Sequence, residues 1–385
     1  MTHPLPKGWQ EVLLDEYAKR GSGHTPNKKH PEYWDGQIKW ISLQDSSKLD
    51  KFYISETAYK ITEDGIRNSS AVIHPAGTVV LSRDAGVGKS AIMKEDMAVS
   101  QHFMTWRCGL NLNNIFLYHW LQYRKPEFER IAVGSTIKTI GLPYFKKLKI
   151  ILPPLPEQHR IVTVLETWDK AIEKLERKIA LKKSVKKGLM QQLLTGKKRL
   201  PGFGGEWVNQ TIGMCVKCKT PPKKFKKDEY LETGEYPIID QSQKFIVGWT
   251  DNKSSIVENG EYVLFGDHTC ITKYYCGPFA QGADGLKIIT TKKESLLPAF
   301  LYQFLCCNPV QTEGYKRHYG KLKDMEINIP TTEEQKEITS IFRASDQETE
   351  LLQSKLQKLK LQKTYLLNHL ITGRIRTPET MSLSS

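Results

Sequence analysis

Residues 152–199 read LPPLPEQHRIVTVLETWDKAIEKLERKIALKKSVKKGLMQQLLTGKKR, and residues 329–376 read IPTTEEQKEITSIFRASDQETELLQSKLQKLKLQKTYLLNHLITGRIR. A constant offset of 177 aligns them without a gap over 48 residues, with 15 identities. Pro153 matches Pro330, Glu157-Gln158 match Glu334-Gln335, Asp169 matches Asp346, and Thr195-Gly196 match Thr372-Gly373. Low complexity does not place proline, aspartate, glutamine and glycine at fixed positions, so the chain carries an internal duplication.

Each copy has the period of a long helix. In the first, Ile161, Leu165, Trp168, Ile172, Leu175 and Ile179 recur at alternating spacings of four and three. In the second, Ile338, Phe342, Leu352, Leu356, Leu359, Leu366 and Leu370 keep that register, with Ser345, Thr349 and Lys363 in the weaker layers. An average of 3.5 residues is the seam of a coiled coil. Lys363 fits such a seam if its apolar stem lies along the stripe and its ammonium reaches water. The proline at each start and the glycine of each Thr-Gly bound the helices. They predict roughly 35–38 residues each, or about 55 Å at 1.5 Å per residue. A single apolar stripe of that length needs a partner. The other copy is the nearest candidate, and about 130 intervening residues, 200–328, allow it to return parallel or antiparallel. A dimerisation coiled coil between chains is the competing arrangement.

Outward from the helices lie two domain-sized segments, 1–151 and 200–328. Both open alike, Leu5-Pro-Lys-Gly-Trp9 against Leu200-Pro-Gly-Phe-Gly-Gly-Glu-Trp207. Both place strand-like runs, Ile38-Lys-Trp-Ile-Ser42 against Tyr236-Pro-Ile-Ile-Asp240, and Gly77-Thr-Val-Val-Leu-Ser82 against Gly260-Glu-Tyr-Val-Leu-Phe265. Elsewhere the segments diverge. The predicted organisation is a variable domain (1–151), a helical segment (152–199), a second variable domain (200–328), a second helical segment (329–376) and a tail (377–385). The fold class is mixed α/β.

The composition fits a globular protein that meets a polyanion. Of 385 residues, 39% are hydrophobic and 10% aromatic, which is enough for packed cores and argues against disorder. No apolar run approaches the ~18 residues of a membrane span, and the opening MTHPLPKGWQEVLLDEY lacks a signal-peptide pattern, so a cytoplasmic location is expected. The formal net charge is +15, which favours nucleic acid first and a membrane surface second. It is concentrated in residues 152–199, which carry +7, against +6, +1 and +1 for 1–151, 200–328 and 329–385. Seven cysteines without an export signal read as reduced thiols. Cys215-Val-Lys-Cys218 has zinc-like spacing that Cys270 and Cys276 would complete, but the five-residue gap of the second pair is unusual, and no metal site is expected.

This pattern resembles the specificity subunits of Type I restriction-modification systems. The resemblance rests on Gly134-Ser-Thr-Ile-Lys138, then Leu148-Lys-Ile-Ile-Leu-Pro-Pro-Leu-Pro-Glu-Gln158, then the helix closing on Leu194-Thr-Gly196. The second half repeats it with Met325-Glu-Ile-Asn-Ile-Pro330, Glu334-Gln335 and Ile371-Thr-Gly373. It departs at Tyr315-Lys-Arg-His-Tyr-Gly-Lys321, which lacks the Gly-Ser-Thr form. The resemblance implies two target-recognition domains on an intramolecular antiparallel coiled coil that spaces two DNA half-sites. It implies partners: double-stranded DNA, two modification subunits that methylate adenine with S-adenosylmethionine, and a restriction subunit using ATP and Mg. It implies no cofactor and no catalysis in this chain. A near-repeated protein frame suits the pseudo-dyad of duplex DNA.

Base reading requires donors and acceptors at groove edges, and phosphate contacts require cations and hydroxyls. In the first domain Ser82-Arg-Asp-Ala-Gly-Val-Gly-Lys-Ser90 reads as a tight exposed turn displaying Ser82, Arg83 and Lys89, with a solvated turn as the alternative. It is not a Walker loop, because Arg83 stands where glycine is required. His24, Thr25 and Lys28 form a second flexible stretch, and Lys138 lies in the Gly134 motif. The second-domain candidates are Asp267 and His268 in the matching turn, Lys217, Lys219 and Lys224 in a lysine-dense patch, and Arg317 before the second helix. Trp9 and Trp207 read as core anchors. Lys182-Lys183 and Lys186-Lys187 face DNA, solvent or a partner.

There is no H-E-x-x-H, no nucleophile elbow and no Asn/Asp-Pro-Pro-Tyr/Phe motif of adenine methyltransferases. The expected function is recognition of an asymmetric bipartite DNA target, with chemistry left to partners. The competing reading is a coiled-coil scaffold without sequence preference.

Overall fold

The computed structural model describes residues 5–292, 295–314 and 316–381. Tyr315 of the pre-helix segment and the last four residues of the tail lie outside the described residues. The chain divides into two compact units, Met1–Lys174 with Leu356–Ser385, and Leu175–Lys355. Each unit therefore holds one variable domain, part of the first long helix (Leu155–Leu193) and part of the second (Thr332–Leu370).

In the first unit, strand Gln10–Leu13 pairs antiparallel with Lys149–Leu152, bringing the start of the domain to the foot of the helix. The main sheet has the order Ala18–Ser22, Phe103–Cys108, Val79–Ser82, Ser90–Met93, Tyr53–Ile54. Its strands Val79–Ser82 and Ser90–Met93 are buried at every residue, with Val79, Leu81 and Ile92 in one core and Val80, Ala91 and Met93 in another, so the sheet is covered on both faces. Helix Asn114–Ile131 packs on this sheet. The Asn113 side chain caps it by accepting from the Ile115 and Phe116 amides at 2.9 and 3.0 Å. Phe116, Leu117, Trp120 and Phe128 share one core with Val79, Leu81, Ile92 and Trp106. A smaller sheet orders Tyr59–Ile61, Trp34–Ile41, Met97–Val99, Ile73–His74, with Trp34–Ile41 and Met97–Val99 parallel.

The second unit repeats the plan. Val208–Thr211 pairs with Glu326–Ile329. Its main sheet orders Val216–Lys219, Leu286–Thr291, Glu261–Gly266, Thr272–Cys276, covered by helix Pro298–Cys307. Its small sheet orders Gly248–Thr250, Tyr236–Ile239, Ala280–Gln281, the last two parallel.

Both long helices have 39 residues, and within each unit their segments run antiparallel. In the first unit Asp169 accepts from the Lys363 ammonium, and in the second Asp346 accepts from Lys186 at 2.6 Å. Asp169 matches Asp346 and Lys186 matches Lys363 in the repeat, so each copy supplies both halves of a reciprocal pair. This corrects the reading of Lys363: its ammonium meets a carboxylate rather than open water. Lys182 also pairs, with Glu348 at 2.7 Å.

The shared Glu-Gln has a structural task in both copies. Glu157 accepts from Trp9 Nε1 at 3.0 Å and from Arg376 Nε and Nη2 at 2.5 and 2.7 Å. Glu334 accepts from Trp207 Nε1 at 3.2 Å and from Arg199 Nε and Nη2, both at 2.7 Å. Each guanidinium also lies over its indole. Gln158 accepts from the Asn113 amide and donates to the Asn111 and Pro153 carbonyls. Gln335 treats the Leu297 amide and the Ser295 and Pro330 carbonyls in the same way. Both helices are followed by a left-handed glycine, Gly196 (φ 70°) and Gly373 (φ 71°), inside matching turns closed by Lys198 N–H to Gln192 O and Ile375 N–H to His369 O at 3.1 Å each.

Ile161 and Leu165 join the first core, and Ile338 and Phe342 the second; Leu175 and Ile179 of the stripe are buried as well, while Trp168, Ile172, Leu352, Leu356 and Leu359 are half-buried. His119 lies buried close to Lys363, and its Nε2 has no hydrogen-bond partner among the described residues. Burial pushes its pKa down to about 3, with the Lys363 charge adding to the shift. The unfolded chain takes up a proton below about 6.5 that the folded chain refuses. The stability from keeping the ring neutral is thus complete above that value and falls away as pH drops toward 3. Between pH 7 and 5 we expect a loss of roughly 2 kcal/mol from this group. Chemical denaturation of wild type and His119→Leu at both pH values checks this, and equal pH slopes would refute it.

Candidate nucleic-acid interface

The turn after Val79–Ser82 is shaped by Ala85, Gly86 and Gly88, all at positive φ. It is tied by Ser82 N–H to Lys89 O at 2.8 Å and Gly88 N–H to Ser82 O at 3.0 Å. Ser82 is fully buried and its hydroxyl donates to the Asp84 carbonyl at 2.6 Å. That corrects its reading as an outward contact; the hydroxyl shapes the turn. Lys89 is half-buried and donates to Ser46 O at 3.2 Å, so it points along the domain.

Asp84 organises what remains. Its carboxylate accepts from Thr139 Oγ1 and from His102 Nδ1, the latter at 2.7 Å, and lies 3.6 Å from Arg83 Nε. Arg83 Nε has no hydrogen-bond partner among the described residues. The backbone joins the same segments: Arg83 N–H to His102 O and Ile140 N–H to Arg83 O, both 3.0 Å. The Gly134–Lys138 loop is closed by Val133 and Thr139, which bond each other. Gly134 has φ 130°, and a Cβ there would lie 2.2 Å from Ile137 O, so the motif demands glycine. Lys138 is exposed on this loop. Thr25 Oγ1 donates to Gln101 Oε1 at 2.6 Å, Trp40 Nε1 donates to His24 O at 3.1 Å, and His24 and Lys28 are exposed. Arg83 and Lys138 thus join one rim with Thr25 through Asp84, His102 and Gln101.

The second unit builds an equivalent junction from other residues. Asp267, only 2% exposed, accepts from the His318 and Tyr319 amides at 3.0 and 2.8 Å and pairs with Lys287 at 3.4 Å. Its carboxylate ties the turn to the pre-helix segment; this replaces its expected outward role. His268 Nδ1 lies 3.1 Å from Lys316 O, and Arg317 is exposed. The Asp284 carboxyl is held below its usual range by Lys224 first, at 2.6 Å, then by Arg317 and Lys287. This gathers Lys224 and Arg317 around one carboxylate. Lys217 is exposed and Lys219 pairs with Glu258 at 3.1 Å, both on strand Val216–Lys219. Such surface pairs contribute little stability, so their cations can exchange to phosphate at small cost.

His102, Gln101, Asp284 and Lys287 were missed in the sequence. They carry no motif and meet their partners only through strand order. Among the described residues no three His, Cys, Asp or Glu side chains cluster as metal ligands. Cys218 and Cys276 sit on strands separated by two others.

A family profile described as the Type I restriction modification DNA specificity domain matches residues 6–183 and again 205–361. The chain belongs to this family. Its antiparallel helix segments and mixed α/β domains agree with the specificity-subunit fold. The MjaIX specificity subunit of Methanocaldococcus jannaschii is 30% identical over 171 residues, 44% of this chain and 40% of that protein, so that match spans less than half of the relative. The MjaVIII specificity subunit of the same organism is 21% identical over an alignment of 412 residues, 97% of this chain and 94% of that one. The solved S subunit of a Type I system from M. genitalium shares the fold with a TM-score of 0.60 at 17% identity, covering 94% of this chain and 96% of that one. DNA recognition within a Type I restriction-modification system is therefore the chain's family-level role. Among the described residues, no helix is long and apolar enough to cross a membrane.

Proposed function

We propose that this chain reads an asymmetric, gapped DNA target in the cytoplasm and directs adenine methylation by two modification subunits. The carrying observation is that two domains built on a similar plan present unlike residues at equivalent turns, Arg83, Lys138 and Thr25 against His268, Arg317 and Lys224. Like residues would suit a palindrome; unlike residues suit two different half-sites. Methyl transfer from S-adenosylmethionine belongs in this reading to the modification subunits, and ATP- and Mg-dependent restriction to a further subunit. Leu181 and Leu351 are well exposed on the helix segments of the second unit, and Leu361 on that of the first, which supports docking of helical partners on these segments. A scaffold without sequence preference has no use for unlike turns on a duplicated domain.

Co-expression with its modification subunits, followed by sequencing of modified bases in the host genome, tests the reading. A gapped motif with two different halves is expected. A contiguous motif, or no motif, would overturn it.

A further inference from the structure

Each small sheet has one parallel strand pair, and a cleft opens beside the carboxyl end of that pair, where open α/β sheets bind ligands. In the first unit the strands run into Ser42 and Ser100, and the cleft holds about 520 Å³ between Trp34, Trp40, Tyr59, Gln44, Gln101 and His102. In the second unit a cleft of about 610 Å³ lies at the matching place, lined by Asp240, Lys227 and Lys244 beside Tyr230 and Trp249. The place is duplicated and the chemistry is not. Both clefts carry aromatic rings and lysine; the first adds the Gln44 and Gln101 amides, the second the Glu232 and Asp240 carboxylates.

In the first cleft one amide is fixed from both sides. His102 Nδ1 donates to Asp84 at 2.7 Å, and in the neutral ring this leaves Nε2 as an acceptor. That Nε2 lies 3.5 Å from Gln101 Nε2, an amide donor. On the other side Thr25 Oγ1 donates to Gln101 Oε1 at 2.6 Å. The Thr25 hydroxyl can bond either end of the amide, so the direction in which Gln101 points is set by His102 Nε2, an acceptor that calls for the Gln101 NH2. A carboxamide engaged once at each end keeps one lone pair and one N–H. Gln101 is itself exposed. An acceptor and a donor side by side on a fixed amide match the N6 and N7 edge of adenine in the major groove. The indole and phenol rings beside it offer apolar surface for the methyl group of the paired thymine.

We propose that Gln101 reads an adenine in the half-site bound by the first domain, with Thr25, His102 and Asp84 acting as positioning residues that hold its amide. This deepens, and rests on, the proposed bipartite reading. In the second unit the Gln241 amide is also held at both ends, by His268 N–H and Asp284 O, but it does not line the second cleft among the described residues, so the inference concerns the first half-site alone.

The test uses the full chain assembled with its modification subunits. Modified-base sequencing of wild type first defines the motif. Gln101→Ala is expected to lower discrimination at one A·T position by about tenfold or more, leaving the other half and the gap unchanged. Gln101→Glu, which can only accept, is expected to shift that position toward cytosine. His102→Ala and Thr25→Ala should erode the same position, and Thr25→Ser, which keeps the hydroxyl, should restore it. A merely structural role would lower complex yield without changing one base preference. If wild type shows no gapped motif, the bipartite reading falls and takes this inference with it. If the motif is gapped but Gln101→Ala and Gln101→Glu leave every position unchanged, or alter a G·C position, the inference alone is overturned.

Discussion

Glu157→Ala is expected to destabilise the first unit by about 3 kcal/mol, and Glu334→Ala to do the same to the second. Each carboxylate is nearly sealed from solvent, with 3% and 1% of its side chain exposed. Each binds a guanidinium through two nitrogens, the geometry of the stronger charge-assisted bonds. Removing the carboxylate leaves the indole N–H of Trp9 or Trp207 without its acceptor, and Trp9 is itself buried. The guanidinium loses less, because it turns to water. The two sites share no partner and lie in different units, so their effects should add. Calorimetry should show each substitution moving the unfolding of its own unit by about 6–12 °C. Glu157→Gln, which keeps an acceptor but no charge, should fall between wild type and alanine. A variant that melts with wild type would show that the clamp is incidental.

These clamps mark how far the sequence could be read. Glu157/Glu334, Asp169/Asp346, Lys186/Lys363 and Arg199/Arg376 are all among the identities of the repeat. An antiparallel pair brings the start of one copy to the end of the other, so a conserved acid early in the repeat and a conserved base late in it must meet. Length, period and termini of the helices followed from residue spacing alone. The pairing of Lys363 did not, because a lysine in an apolar stripe looks the same whether its ammonium reaches water or Asp169. The domains were less legible. Their strand runs at residues 38–42, 77–82, 236–240 and 260–265 were visible as β-rich segments, but sheet order was not. Without sheet order, nothing connects Asp84 to His102 or Thr25 to Gln101. The same gap explains Ser82 and Asp267. Both stand in turns that were rightly read as turns, yet a small polar residue in a turn serves its backbone as often as a ligand. The segment before the second helix lacks the Gly-Ser-Thr form, which leaves its packing unread in the sequence. Asp267 and His318 build the same junction by other means, so topology was kept where sequence was not.

Exchange of the second variable domain for that of another family member should replace one half of the recognised motif and leave the other intact. The structure sets the boundaries of the graft. A cut after residue 328 would divide strand Glu326–Ile329 from itself, since Ile329 pairs with Val208; the graft should run from 200 through 329. Arg199 and Glu334 stay with the recipient, so the donor must bring its own tryptophan at position 207 to complete the clamp. It must also supply apolar residues where Ile212, Phe300, Leu305 and Leu322 meet Met190, Leu193, Ile338 and Phe342 of the retained helices. A donor that keeps those positions should fold, because the remaining domain residues pack among themselves. Preference for the original second half-site should then fall by at least about a thousandfold, the lower end of the margin between specific and non-specific DNA binding. The first half of the motif, whose proposed reading residues lie in the other unit, should keep its sequence. Modified-base sequencing of the host reads both halves at once. If both change together, the two domains do not read DNA independently and the bipartite account fails.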